Sequence, residues 1–266
     1  QTALWISSRH PEWSGDIVGY LQSELDSATM SDEQQRSVGE VLVSLCGDGQ
    51  VQQLIASVLQ SETTGRERKL FLISTVERCH ASISEPVVQQ VGEQLQSEDP
   101  ALQEAAIGLI RSRNLSALSG RLQEIADDTA SGEALRLSAL GALTAFQPEL
   151  SDHHYQFLVA RLDREYEMPV RQAAARILGQ SELNEEQLLN LGAEQLAHLE
   201  PFLLTRLIEA YDRPLEDPEV GQVLIAAIRA SPDNLDNFTE SQLQDLFSHY
   251  PEEVQVASDA LIGQLR

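Results

Sequence analysis

Residues 102–110 read LQEAAIGLI, residues 135–143 read LRLSALGAL and residues 170–178 read VRQAAARIL. They are copies of one phrase whose starts lie 33 and 35 residues apart. That is the length of one helical hairpin, and a fixed period of this size marks a stack of repeated units. Small residues recur inside the phrase: Ala105, Ala106 and Gly108, then Ala139, Gly141 and Ala142, then Ala173 and Ala174. They permit the close helix approach that stacking needs.

Outward from the phrase, the chain reads as further hairpins. Val38, Val41, Leu42 and Leu45 follow the i, i+3, i+4, i+7 spacing of one helix face. Pro86, Pro100, Pro169, Pro201 and Pro218 stand at first helical positions, where the missing N–H costs nothing. Asp99 and Thr239 are expected caps, the latter with Gln242 at the capping-box position. Gly65 marks a turn and Gly179 a helix stop. Short helices are expected over 185–191 and 193–199. Alternation of period two with β-branched residues never lasts beyond a few positions, so the chain is all-α. The pattern predicts one domain over 1–266: a right-handed α-α superhelix of about seven hairpins, each covering the apolar flank of the next. Residues 1–182 carry the regular repeats and 183–266 less regular ones.

The composition limits what such a stack can do. Forty-two acidic residues face 18 basic ones, for a net charge of −24, and Lys69 is the single lysine. A phosphate backbone would be repelled, so nucleic acid is not an expected partner. The plain consequence of the charge is solubility; the sharper alternatives are a basic partner or saline surroundings. No apolar run approaches the roughly 18 residues that cross a bilayer, so membrane insertion is not expected.

Cys46 and Cys79 stand 33 residues apart, at equivalent places in successive units. Stacked helices lie roughly 10 Å apart, whereas a disulfide needs Cα atoms within about 7 Å. The expectation is therefore two free, buried thiols. Cys79-His80 lacks the preceding cysteine of a covalent haem site. The opening residues Leu4, Trp5 and Ile6 look like the end of a helix that starts upstream, so the chain reads as a segment of a longer protein.

The pattern Leu-Arg-x-x-Ala-x-x-x-Leu, carried by Leu135–Leu143 and nearly so by Val170–Leu178, resembles HEAT-type repeats, in a compact variety. Arg136 and Arg171 fill the arginine slot, and Gln103 takes it in the earlier copy. Taken whole, the chain is similar to the helical-repeat region of large multidomain bacterial secreted proteins. The features are Ala3 to Ile6 with His10, Pro11 and Trp13, the Ser97–Pro100 and Ala134–Leu137 units, and the closing HYPEEVQ of 249–255. Those proteins carry a propeller of sugar-dehydrogenase type before the repeats and a c-type haem domain after them. The resemblance implies a periplasmic or exported setting and a connecting role; it puts no haem or propeller chemistry on these residues.

Candidate sites are few. His153 and His154 are adjacent, so on a helix they point about 100° apart and make a surface helix start rather than a chelate. Asp163, Glu165 and Glu167 lie with Arg161 and Arg164 in a charged connection before Pro169, better suited to solvent than to acid–base work. Asp127-Asp128 reads as a turn. Residues 232–237, PDNLDN, lack the Gly and terminal Glu of a calcium loop. Trp5 and Trp13 read as the cover of the first repeat. No nucleophile elbow or phosphate loop occurs. The sequence thus points to no catalytic residue, metal ligand or cofactor. It points to a scaffold that docks protein partners, with Arg36, Arg68, Gln103, Arg136, Arg171 and Arg206 on the inner helices as the interaction face. The recurring arginines are expected to pair with acidic neighbours in adjacent repeats. Rival readings are a lyase-like enzyme with a pocket on the concave face and a free-standing adaptor that grips an extended peptide.

Overall fold

The structure is a computed structural model, and it describes residues 14–27, 29–230, 235 and 237–265. The described residues are all-α, with fifteen α-helices, short 3-10 turns and no strand; a single parallel bridge joins Glu149 and Glu182. They divide into two compact units, 1–142 and 143–266.

The first unit contains α1 (Ser14–Asp26), α2 (Asp32–Ser44), α3 (Gly49–Gln60), α4 (Arg66–Glu77), α5 (Glu85–Gln94), α6 (Pro100–Ser112) and α7 (Ser119–Asp127), and α8 (Glu133–Leu143) ends it. Packing follows an alternate-helix rule. α1 lies on α3 and α3 on α5; α2 lies on α4 and α4 on α6. Two layers result, one of first helices and one of second helices, bridged within the α3–α4 and α5–α6 hairpins. The core is a strip between the layers. Leu21, Leu59 and Val91 enter it from the first helices, Leu42, Leu72 and Ile110 from the second, all without exposed surface. Each such side chain contributes about 1.5–3 kcal/mol by leaving water. No hairpin could bury both of its flanks alone, which is why the units repeat.

The second unit contains α9 (Asp152–Ala160), α10 (Met168–Gln180), α11 (Glu185–Glu194), α12 (Pro201–Leu207), α13 (Pro218–Arg229), α14 (Glu240–Phe247) and α15 (Glu252–Ile262). The same rule holds: α9, α11, α13 and α15 stack in succession, and α10 stacks on α12. The helix expected over 193–199 is absent as such. α11 runs on to Glu194 and a 3-10 turn covers Leu196–His198.

Helix starts follow the local chemistry. Asp48, Asp99, Ser151 and Asp217 accept from first-turn N–H groups, and Ser31, Asn184 and Thr239 form complete capping boxes. Asn114 takes φ 53° just beyond α6, a left-handed stop that Asn tolerates.

The glycines behave otherwise than expected. Gly108 has nothing near the place a Cβ would take, so it is not a close-approach site. Gly179 does not stop α10; it lies inside the helix, where a Cβ would collide with the backbone carbonyl of Arg206 in α12. Gly192 and Gly221 let Val223 and Val254 of the next stacked helices approach to 2.5 Å of the missing Cβ.

Candidate functional site

The six positions expected on one face separate into two groups. Gln103 donates through Nε2 to the Leu95 carbonyl at 3.1 Å, Arg136 through Nε to Ala126 at 3.0 Å and Arg171 through Nε to Leu162 at 3.0 Å. Each acceptor lies at the end of the preceding helix, 8, 10 and 9 residues upstream. Arg68 does the same over a longer reach: it donates to the carbonyls of Glu24, Leu25 and Ser27 at the end of α1. The last carbonyls of a helix lack intrahelical partners and carry partial negative charge, so a cation there is favourable. These four side chains are clamps on helix ends. Arg136 and Arg171 are buried, 7% and 4% exposed.

The expected pairing with acidic neighbours occurs at Arg171, whose two terminal nitrogens meet the two oxygens of Glu200. Glu200 precedes the first residue of α12, so this pair joins successive second helices. The hydrogen bonds from Arg171 outweigh desolvation and hold the Glu200 carboxyl below its ordinary value, with Arg164 3.4 Å from the same carboxylate. Arg68 and Gln103 bond to backbone carbonyls.

Arg36 and Arg206 form the second group. Arg36 is exposed and lines a groove of about 330 Å³ with Asp32, Glu40, Phe71 and Arg78. Arg206 is 63% exposed, lies 3.4 Å from Glu209 and lines a groove of about 610 Å³ between α10 and α12. A third crevice, of about 590 Å³, opens beside the ends of α1 and α3 and the start of α4.

The cysteines overturn their expectation. Cys46 and Cys79 form a disulfide with Cα atoms 5.9 Å apart. Each stands two residues beyond a helix end, Ser44 of α2 and Glu77 of α4. There the chain has left the helical cylinder, and the axis spacing no longer sets the distance between equivalent residues. Gln52 of α3 ties the same loops: its Nε2 donates to the carbonyls of Cys46 and Ser82, both at 2.8 Å, and its Oε1 accepts from the Ser84 N–H.

Three tyrosines form a feature that sequence reading did not single out. Tyr155 donates to the Gln187 carbonyl at 2.8 Å, Tyr211 to Leu188 at 2.7 Å and Tyr250 to Tyr211 at 3.0 Å. Burial pushes all three phenols above their ordinary value of 10.0. Their scarcity is the signal that was available, since the chain has five tyrosines in all. Beside them, the buried Gln187 donates to the Leu150 carbonyl and to Asp152.

His153 is exposed, but His154 is buried rather than on the surface, its N–H capped by Ser151. Asp163, Arg164, Glu165 and Glu167 are exposed. Asp128 accepts from the Ala130 N–H and the Ser131 hydroxyl, which lower its pKa and build the turn before α8. Leu4, Trp5, Ile6, His10 and Trp13 lie outside the described residues, as do Pro232, Asp233, Asn234 and Asp236 of the calcium-like stretch. Among the described residues no three His, Cys, Asp or Glu side chains converge as a metal site, and no helix is long and apolar enough to cross a membrane. No protein-family model matches the chain, and no curated protein matches it.

Proposed function

We propose that the chain is a non-catalytic, HEAT-like scaffold that docks protein partners and works in an oxidising compartment. The observation that carries the docking role is the division of labour among the inner-helix side chains. Four clamp helix ends, Arg68 while also lining the crevice beside α1, and Arg36 and Arg206 face open grooves between successive second helices. Grooves between stacked helices offer the kind of surface that repeat arrays use for binding.

The Cys46–Cys79 bond supports the compartment, since disulfides persist where thiol reductants do not hold cysteines reduced. It agrees with the exported setting that the resemblance implies. In that reading the chain spaces domains of a larger haem- and dehydrogenase-type protein, and the disulfide supports the export alone.

Hydrogen exchange on the chain alone and within its larger protein tests the docking role. The expected result is added protection along α2, α4, α10 and α12, with the first helices unchanged. Equal exchange in both states overturns it. So does turnover of a substrate by the isolated chain that is lost on neutralising one carboxylate.

A further inference from the structure

The loops that carry the two cysteines are held together by more than their sulfurs. Cys46 lies between α2 and α3, and Cys79 opens the irregular stretch 79–84 between α4 and α5. Gln52, 8% exposed in the first turn of α3, reaches both. Its amide nitrogen donates to the carbonyls of Cys46 and Ser82, and its oxygen accepts from the Ser84 N–H. A primary amide has two N–H donors, so both are used on these two loops. Arg113 donates to the Ala81 carbonyl at 2.7 Å, a further tie on the second loop. None of these bonds involves a sulfur, so reduction of the disulfide leaves every donor and acceptor in place.

The fold also has room for the reduced form. Cys46, Cys79 and Gln52 line one small cavity of about 10 Å³ with Leu42, Ile55 and Val87. Two thiols need more space than a bonded pair, and this cavity adjoins both cysteines.

We propose that Gln52 is a positioning residue for the Cys46–Cys79 bond: in the reduced, folded chain it holds the two loops in the register that the bond requires. Closure is then an intramolecular step between prepositioned thiols. The oxidant is a second disulfide, on a small molecule or a protein. One cysteine thiolate attacks a sulfur of that disulfide and displaces a first thiolate. The other cysteine thiolate attacks the mixed disulfide and displaces the second. Two electrons pass to the oxidant, and the two protons lost by the cysteines end on its two thiols. Holding the reacting groups in place raises the effective concentration of one thiol at the other. The frame exists only once α2, α3 and α4 have packed, so closure follows their folding. The proposal rests on the disulfide and is independent of the docking role.

Equilibration of the folded whole chain with mixtures of reduced and oxidised glutathione tests it, with dithiol and disulfide forms counted by mass after thiol alkylation. Gln52→Met keeps much of the side chain's bulk and removes its hydrogen bonds; it shifts the equilibrium toward the dithiol by about tenfold or more. Gln53→Met, at an exposed position of the same helix, leaves the equilibrium unchanged. An unchanged equilibrium in Gln52→Met overturns the proposal even if its melting temperature falls, because the loss is then equal in both redox forms and the role is only structural. If Gln52→Met does not fold, hydrogen exchange on the reduced, unsubstituted chain decides. The Ser84 N–H, which donates to Gln52, is expected to stay protected after reduction together with the amides of α3 and α4. Loss of protection at Ser84 with α3 and α4 still protected overturns the proposal. So does loss of protection throughout α2–α4 on reduction, since no frame then precedes the bond.

Discussion

Arg171 on α10 and Glu200 at the start of α12 form a two-pronged ion pair in which the arginine is 4% exposed and the acid's side chain 29%. The same guanidinium holds the Leu162 carbonyl. One side chain thus closes its own hairpin and fastens it to the next. Removing Arg171 loses this pair and leaves the Leu162 carbonyl without its donor, at about 1–3 kcal/mol. Arg171→Leu is therefore expected to lower the urea midpoint strongly, whereas Arg206→Ala, at an exposed pair, changes stability by less than about 1 kcal/mol.

Acid should reach the same contact. Glu200 is held below its ordinary value of 4.5, so its contribution is fully present above that pH and is lost as pH falls through the lowered value. Urea melts across the acid range should show a slope that is reduced in Glu200→Gln.

The disulfide closes a loop of 33 residues' separation in the first unit. Its loss is expected to cost about 2–4 kcal/mol. Replacing Cys46 and Cys79 together by Ala should lower the melting temperature with or without reductant. Protein isolated without reductant should weigh less than the dithiol by two hydrogen atoms and give no reaction with a thiol reagent until unfolded. A free thiol in freshly isolated protein would contradict the oxidising compartment.

The buried tyrosines predict behaviour in alkali. An unfolded phenol ionises near 10.0, and these three ionise above it. Their contribution is fully present below about pH 10 and is lost as pH rises toward the folded values. Phenolate absorbance should show a late-titrating set that moves toward 10 on denaturation. Tyr155→Phe, Tyr211→Phe and Tyr250→Phe should each cost about 1 kcal/mol through the lost hydrogen bond.

Gly179 and Gly108 give opposite outcomes for one substitution. Gly179→Ala places a methyl against the Arg206 carbonyl and should destabilise by about 1–3 kcal/mol. Gly108→Ala enters open space inside α6 and should stabilise by about 0.5–1 kcal/mol. Paired thermal melts distinguish a contact glycine from an idle one.

Much of this architecture was legible in the residue order. Helix spacing, proline starts and the caps at Asp99 and Thr239 are local signals, each complete within a few residues. The arginine slot was legible as a position but not as a role. That Arg136 reaches the Ala126 carbonyl depends on where the hairpin turn brings the preceding helix end. The sequence marks Gly108 as a close-approach residue and Gly179 as a helix stop, and only the neighbouring helix shows that Gly179 is the contact and Gly108 is open. His154 looked like half of a surface pair because nothing local says which side of α9 is covered.

The order of residues determined that this chain is helical, that it repeats, and where most helices begin, because those outcomes depend on backbone preferences and on hydrophobic spacing within one turn. The tertiary structure decided which side chains clamp, which face a groove, and that two cysteines meet. Those outcomes depend on displacements of a few ångströms between segments roughly 30 residues apart, set by how side chains fill the space between stacked helices.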